Sequence, residues 1–297
     1  MDVSIIIVNY NTCDLTTQCI NSIINTTHDL EYEIIVVDND SKDRSKDVLS
    51  ENPNIVFIES GSNLGFGKAN NLGVTHSTGE YIFFLNSDTI VLNDAIKQLR
   101  DFCEKKETLN IGGVGCLLLN NDLNRIHSYG RYPNAWRYIS NVVGDHFFKR
   151  LKGKSFQTLD DGAKETSDFF EVEYITGADI FVKRSVIDQY GAFDPDFFMY
   201  YEETEMQYRW NKNGLNNYIL VGPQIIHLEG GSGKTVVSFG KRMRELDSRL
   251  KYYSKTMNRF SYFLSRVFLV PAVSTLLFSG DMDKEQKKQY FKRLLQK

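Results

Sequence analysis

Gly79-Glu-Tyr-Ile-Phe-Phe-Leu-Asn-Ser-Asp88 is an apolar run that ends in three polar residues. Its length and unbroken hydrophobicity suit a strand buried on both faces, and it delivers a carboxylate at its C-terminal end. In open α/β sheets ligands bind in the crevice outside the carboxyl ends of the strands. Asp88 therefore stands where a carboxylate can hold a divalent ion against a diphosphate. Alone, the run is also consistent with a strand and an ordinary Asn-Ser-Asp turn; the segments before it tip the reading toward a ligand site.

Three upstream segments have the same form. Val3-Ser-Ile-Ile-Ile-Val-Asn-Tyr-Asn11 and Glu33-Ile-Ile-Val-Val-Asp-Asn-Asp-Ser41, with Asp38 at the end of its apolar run, both read as buried parallel strands with polar ends. Between them Leu15, Cys19, Ile20, Ile23 and Ile24 recur at helical spacing, with Asp14 placed to cap the helix, so the unit is a right-handed βαβ. A third strand, Ile55-Val-Phe-Ile58, leads into the glycine-rich Ser60-Gly-Ser-Asn-Leu-Gly-Phe-Gly-Lys-Ala-Asn-Asn71, which opens another helix. Four strand ends then share one rim.

Taken in order, these residues resemble family 2 glycosyltransferases of the GT-A fold, enzymes that transfer sugars from nucleotide diphosphates. The resemblance continues through Thr176-Gly-Ala178, Phe193-Asp-Pro-Asp-Phe-Phe198 and Tyr201-Glu-Glu-Thr-Glu205 to His227, over roughly the first 230 residues. Within the family the pattern is similar to bacterial rhamnosyltransferases of surface-polysaccharide synthesis. It implies an α/β GT-A fold, a Rossmann-like mixed sheet flanked by helices, with an inverting mechanism. The expected donor is dTDP-rhamnose or a UDP-hexose, and the acceptor a saccharide or lipid-linked saccharide. A nucleotide-sugar-binding subunit with little turnover is the alternative.

On the donor side, Asp38 and Asn39 end the second strand, where a carboxylate or amide can bond a pyrimidine edge. Capping the turn after Ser41 is their competing role. The resemblance extends donor contact to Asn9, Asn11, Asn63, Gly65, Phe66, Lys68, Asn70, Asn86 and Ser87 as well as Asp88. Gly65 and Gly67 let backbone approach the donor, while Lys68 and Asn70 can reach phosphate or sugar. The same loop is not a dinucleotide fingerprint, because Asn70 stands where the third glycine belongs. Nor is Gly230-Gly-Ser-Gly-Lys-Thr235 a P-loop, since Leu228 replaces the required first glycine; it is expected as a glycine-rich loop whose Lys234 can close over the diphosphate.

For metal and chemistry, Asp88 matches the last acid of the family's Asp-x-Asp element, and Asn86 replaces the first. His227, after the strand Tyr218–Ile226, matches the family's metal-shell histidine. An Asp88 and His227 pair suits Mn²⁺, with Mg²⁺ the physiological competitor. In Tyr200-Tyr-Glu-Glu-Thr-Glu-Met-Gln-Tyr-Arg-Trp210, Met206 and Trp210 are spaced i, i+4 and Glu205 is set to pair with Arg209. Glu202 and Glu203 fall at the helix start, where acids complement the dipole. The family match makes Glu203 the base that takes the acceptor proton, with Glu202 as the other candidate, although glutamate stands for the usual aspartate. Gly177, Ala178, Asp179 and Glu205 are expected on the acceptor side, together with an aromatic and basic loop region from Arg131 to Phe170.

Composition sets the remaining bounds. The chain has 297 residues, 41% of them hydrophobic, enough for a substantial core. Its four cysteines, Cys13, Cys19, Cys103 and Cys116, form no CxxC pair or zinc spacing and are expected as reduced core residues of a cytosolic protein. The sequence starts in a strand without a signal-type segment, so secretion is not expected. The net charge of -3 hides an asymmetry: residues 239–297 hold 14 Lys and Arg against 5 Asp and Glu, and the rest 21 against 33. We therefore expect a catalytic domain over residues 1–238 and a basic helical tail over 239–297. The tail's apolar run Phe260–Phe278 is broken by Arg266 and Pro271, so it fits an interfacial segment better than a span. The expected partners of the tail are the inner face of the plasma membrane or a second subunit. Nucleic acid is not expected, because the body is acidic and no recognition motif occurs.

Overall fold

The apolar runs at residues 3–9, 32–38 and 81–86 form parallel strands largely buried on both faces, whereas the run at 56–59 is more exposed at the edge of the sheet. The computed structural model describes residues 1–134, 167–228, 238–267 and 282–295. They divide into two compact units, Met1–Tyr132 with Glu165–Gly233, and Pro133–Lys164 with Lys234–Lys297.

In the first unit, β1 (Val3–Asn9), α1 (Cys13–Thr26), β2 (Tyr32–Asp38), α2 (Ser45–Leu49), β3 (Val56–Glu59), α3 (Phe66–Thr75) and β4 (Tyr81–Asn86) alternate as the sequence predicts. β5 (Thr89–Val91), α4 (Ala95–Lys105), β6 (Ile111–Leu119) and β7 (Tyr129–Gly130) follow. After them come β8 (Phe169–Val172), β9 (Tyr174–Ile175), β10 (Asp179–Lys183), α5 (Arg184–Tyr190), α6 (Glu202–Lys212) and β11 (Asn216–His227). The main sheet runs β3-β2-β1-β4-β10-β6-β11-β5, with β8 on β11. β3, β2, β1 and β4 are mutually parallel, β10 is antiparallel to both β4 and β6, and β6 and β11 are parallel. This is the mixed sheet of the GT-A fold.

Alternate side chains of each strand feed opposite cores. Ile5, Ile7, Val36, Phe83 and Leu85 pack with Cys19, Ile20, Ile23 and Leu99 on one face. Ile6, Ile82, Phe84 and Ile180 pack with Val186, Met206 and Trp210 on the other. Truncating a fully buried ring such as Phe83 to alanine costs about 3–5 kcal/mol in cores of this kind. The four cysteines are buried and unpaired, as expected.

Two local expectations change. Asp14 does not cap α1; the Cys13 amide donates to Asp43 Oδ2 at 3.1 Å, and Asp14 pairs with Arg44 instead. The expected single strand Tyr174–Val182 is split into β9 and β10 by Thr176-Gly-Ala178. The Asn86 amide donates to the Ala178 carbonyl at 2.9 Å, which ties this break to the end of β4.

In the second unit, α7 (Phe239–Thr256) starts at Ser238, whose side chain accepts from the Lys241 amide at 3.3 Å. Residues 259–267 are helical, and α8 (Lys284–Leu295) follows. Asp247 on α7 pairs with Arg293 on α8, and Arg266 Nη2 donates to the Leu294 carbonyl at 2.6 Å. Among the described residues no helix is long and apolar enough to cross a membrane. Most of the expected acceptor loop, the Gly230–Thr235 loop with Lys234, and the apolar run beyond residue 267 lie outside the described residues.

Candidate active site

The ends of β1 and β2 are locked together before they can offer anything to a ligand. Asn9 is buried; its Nδ2 donates to Asp38 Oδ1 at 2.7 Å and to Ser41 Oγ at 3.0 Å, and its Oδ1 accepts from Thr16 at 2.7 Å and Thr12 at 3.0 Å. Asp38 is also buried and caps the following turn, its Oδ2 accepting from the Ser41 amide at 3.1 Å. Buried Asn39 accepts from the Leu64 amide at 2.8 Å and donates to Asn63 Oδ1 at 3.2 Å. The expected donor contacts Asn9 and Asn39 are therefore internal braces, because buried amides must satisfy both donor and acceptor atoms within the protein. Asn11, by contrast, is exposed at φ 56°. Two rim residues escaped the sequence reading: exposed Tyr10, and Asp40 at φ 68°, paired with Lys42 at 2.6 Å. Both lie within the quoted strand ends, and the left-handed backbone of Asn11 and Asp40 is the Asn/Asp turn signal that could have marked them.

The glycine-rich loop is fixed from two sides. Asn63 Oδ1 accepts from the Gly65 amide at 3.0 Å, and the Phe66 amide donates to the Phe198 carbonyl at 2.9 Å. Gly65 has φ 83°, and a Cβ there would collide with that same carbonyl oxygen, so the approach requires glycine. Lys68 is exposed on α3. Asn70, expected at the donor, is buried, and its Nδ2 turns back to the Phe66 carbonyl one turn earlier at 3.1 Å.

At the end of β4, the β5–β11 pairing sets His227 opposite Thr89, and the Leu228 amide donates to the Asp88 carbonyl at 2.8 Å. His227 Nε2 lies 3.2 Å from Asp88 Oδ1 and 3.3 Å from Asn86 Nδ2. Ser87 Oγ is 3.2 Å from Thr12 Oγ1, which joins this corner to α1. A proton on Nε2 suits the carboxylate but faces the amide nitrogen; a lone pair does the reverse. A cation between them would resolve the conflict once the Asn86 amide turns its oxygen inward. Two neighbouring ligands of an octahedral ion with bonds of about 2.1 Å stand about 3 Å apart, so the pair fits one divalent ion. Among the described residues no cluster of three His, Cys, Asp or Glu side chains offers a complete shell. A diphosphate would have to supply the rest.

Across the break between β9 and β10 stands the acidic start of α6. Tyr200 and Tyr201, with φ 73° and 68°, are consecutive left-handed residues that turn the chain into the helix. Such strained residues persist where surrounding structure holds them and cluster at active sites. Glu202 is buried, and its Oε2 has no hydrogen-bond partner among the described residues. Burial, then the charge of Glu203, pushes its carboxyl up to about 8. Half-buried Glu203 accepts from Thr204 Oγ1 at 3.0 Å and is likewise raised by burial. A Cβ on Gly177 would lie 3.5 Å from Glu203 Cγ and 3.7 Å from Phe66 Cε1, so the small residue brings the acid and the aromatic ring to one place.

Two expected acceptor residues belong to the scaffold. Glu205 is buried against Arg209 at 3.1 Å, and Arg209 in turn holds the carbonyls of Tyr190, Gly191 and Ala192. Asp179 is fully buried on β10 and accepts from the Cys116 amide at 2.7 Å; burial pushes its carboxyl up to about 7. Its neighbours Ala178 and Gly177 carry the useful geometry. One line of contacts thus runs from Asp88 and His227 to Asn86, through Ala178 and Gly177 to Glu203 and Phe66, and back through Gly65 to Asn39.

The chain matches Glycosyl transferase family 2 over residues 4–157, just over half its length, and belongs to that family. It is 36% identical over 114 residues to the poly(ribitol-phosphate) beta-glucosyltransferase of Bacillus spizizenii, covering 36% of this chain and 18% of that one. It is 23% identical over 258 residues to the dTDP-rhamnosyl transferase RfbF of Shigella flexneri, covering 86% and 77%. The crystal structure of S. aureus TarS 1-349 superposes with a TM-score of 0.57 at 14% identity, covering 98% of this chain and 78% of that one, and shares the fold. The chain spans less than two thirds of the length of the first curated relatives it matches.

Proposed function

We propose that the protein is an inverting glycosyltransferase that moves a sugar from a nucleotide-diphosphate donor to a saccharide or lipid-linked saccharide hydroxyl in surface-polysaccharide synthesis. The observation that carries this reading is the unbroken line from the Asp88–His227 pair, through Ala178 and Gly177, to Glu203. This line supports a reading in which the Asp88–His227 corner takes the diphosphate and Glu203 faces the acceptor, with the small Gly177 and Ala178 between them.

The rim formed by Asn11, Asp40 and Tyr10 holds the nucleoside, and the Gly65–Phe66 backbone faces the sugar. Glu203 accepts the proton of the acceptor hydroxyl as its oxygen attacks C1 from the side opposite the diphosphate. Its raised carboxyl favours that role, because a base poised closer to neutral pH takes a proton more effectively. Asp88 and His227, with Asn86 beside them, would hold Mn²⁺ or Mg²⁺, which supplies charge stabilisation to the departing diphosphate. Glu202, buried behind Glu203, positions the helix start. The Shigella relative's name supports dTDP-rhamnose as the first donor to try, with UDP-hexoses next.

The test is a thermal-shift panel of nucleotide sugars with and without Mn²⁺, followed by release of nucleoside diphosphate in the presence of saccharide acceptors. A true donor raises the melting temperature by mass action. If none of the panel stabilises the protein in either condition, this reading is wrong.

A further inference from the structure

Among the described residues, the second unit carries an apolar stripe that no element covers. In the helical stretch 259–267, Phe260 is 70% exposed, Phe263 62% and Val267 48%, at spacings i, i+3 and i+7 that place them on one face. Large aromatic side chains are seldom left this open in pairs on one helix face. Leu295 is 63% exposed, and the Arg266–Leu294 hydrogen bond joins the immediate neighbours of Val267 and Leu295. The far end of the stripe therefore comes close to the end of α8.

Cations border this stripe. Arg259 precedes Phe260 and is exposed, and Lys284, Lys288 and Lys292 form an exposed i, i+4, i+8 row along α8. Lys288, Lys292 and Leu295 share one face by the same spacing. Across residues 239–297 cations outnumber anions 14 to 5. Exposed Phe residues beside a lysine row match the chemistry of an anionic bilayer surface, apolar at acyl depth and negative at the headgroups. A second copy of the chain is a poorer fit, because a two-fold interface on this face would oppose one basic border to another.

We infer that the face formed by Phe260, Phe263, Val267 and Leu295, with its lysine row, seats the protein on an anionic lipid surface. This rests on the second unit alone and stands or falls independently of the transfer reaction.

The experiment is flotation of the full chain with phosphatidylcholine vesicles and with vesicles containing phosphatidylglycerol, at 0.05 and 0.5 M salt. The wild type is expected to float with anionic vesicles only, and to lose most of that binding at high salt, as screened attraction requires. Phe260→Ser/Phe263→Ser and Lys288→Glu/Lys292→Glu should each reduce bound protein at least tenfold, with unfolding midpoints and light-scattering mass unchanged. Phe263→Trp, which keeps the apolar face, should retain binding and be quenched by brominated lipid. Equal binding to neutral vesicles, undiminished binding in both double variants, or no flotation at all would overturn the inference. So would an oligomer in the wild type that the Phe260→Ser/Phe263→Ser variant converts to a monomer, which assigns the face to a second copy.

Discussion

Adjacent glutamates at the start of one helix meet different surroundings. Glu202 points inward, its Oε2 without a hydrogen-bond partner among the described residues, while Glu203 lies beside Gly177 near Phe66. Burial holds the Glu202 proton far more tightly in the folded state, about 8 against roughly 4.3 for an unfolded glutamate. A raised carboxyl contributes stability that is complete below about pH 4 and lost as pH rises through 8. Glu202→Gln cannot ionise, so its melting temperature should fall less than the wild type's between pH 6 and 9. Parallel curves for the two proteins would show that Glu202 does not carry the buried proton. The helix start, the two acids and the Glu205–Arg209 pair were legible from spacing alone. Side-chain direction was not: Asn9 turns inward to the Asp38 carboxylate and to hydroxyls of Thr12, Thr16 and Ser41, while Asn39, Asn70 and Asp179 turn inward to backbone groups.

Backbone contacts as well as side chains join the elements that make the site. Gly65 and Phe66 dock on the Phe198 carbonyl, which ties the glycine-rich loop to the segment that leads into the acidic helix. Gly65→Ala must both leave the φ 83° conformation and move that carbonyl, so it should cost more than about 2 kcal/mol in urea unfolding. Gly61→Ala is the control, with a comparable φ of 75° and open space around it. A loss at Gly65 no larger than at Gly61 would mean that the docking contributes nothing. The strands at residues 3–9, 32–38 and 81–86 could be recognised in sequence because they are covered on both faces and read as nearly unbroken apolar runs. The division of Tyr174–Val182 into two strands could not, since Thr176-Gly-Ala178 differs from a continuous strand only through its partners at Ser128 and Asn86.

Over the whole molecule, the first unit gathers strand ends from β1, β2 and β4, the break before β10 and the end of β11 on a single rim, although these span most of the described chain. Such long-range assembly explains why ordered motifs, more than any one of them, carried the sequence reading. If the corner at Asp88 and His227 holds a divalent ion with the diphosphate, Asp88→Ala and His227→Ala should weaken nucleoside-diphosphate binding at least tenfold with Mn²⁺ present and little without it. Calorimetric titrations in which both variants match the wild type would remove the ion from this corner. On the proposed mechanism Glu203, beside Gly177, is the base. The most direct measurement of this role is single-turnover transfer by Glu203→Gln, which keeps size and loses the basic oxygen. If Glu203 is the base, the rate falls on the order of 10² to 10⁴ with donor affinity unchanged. A Glu203→Gln variant that transfers at the wild-type rate, while Glu202→Gln is inactive, would contradict it.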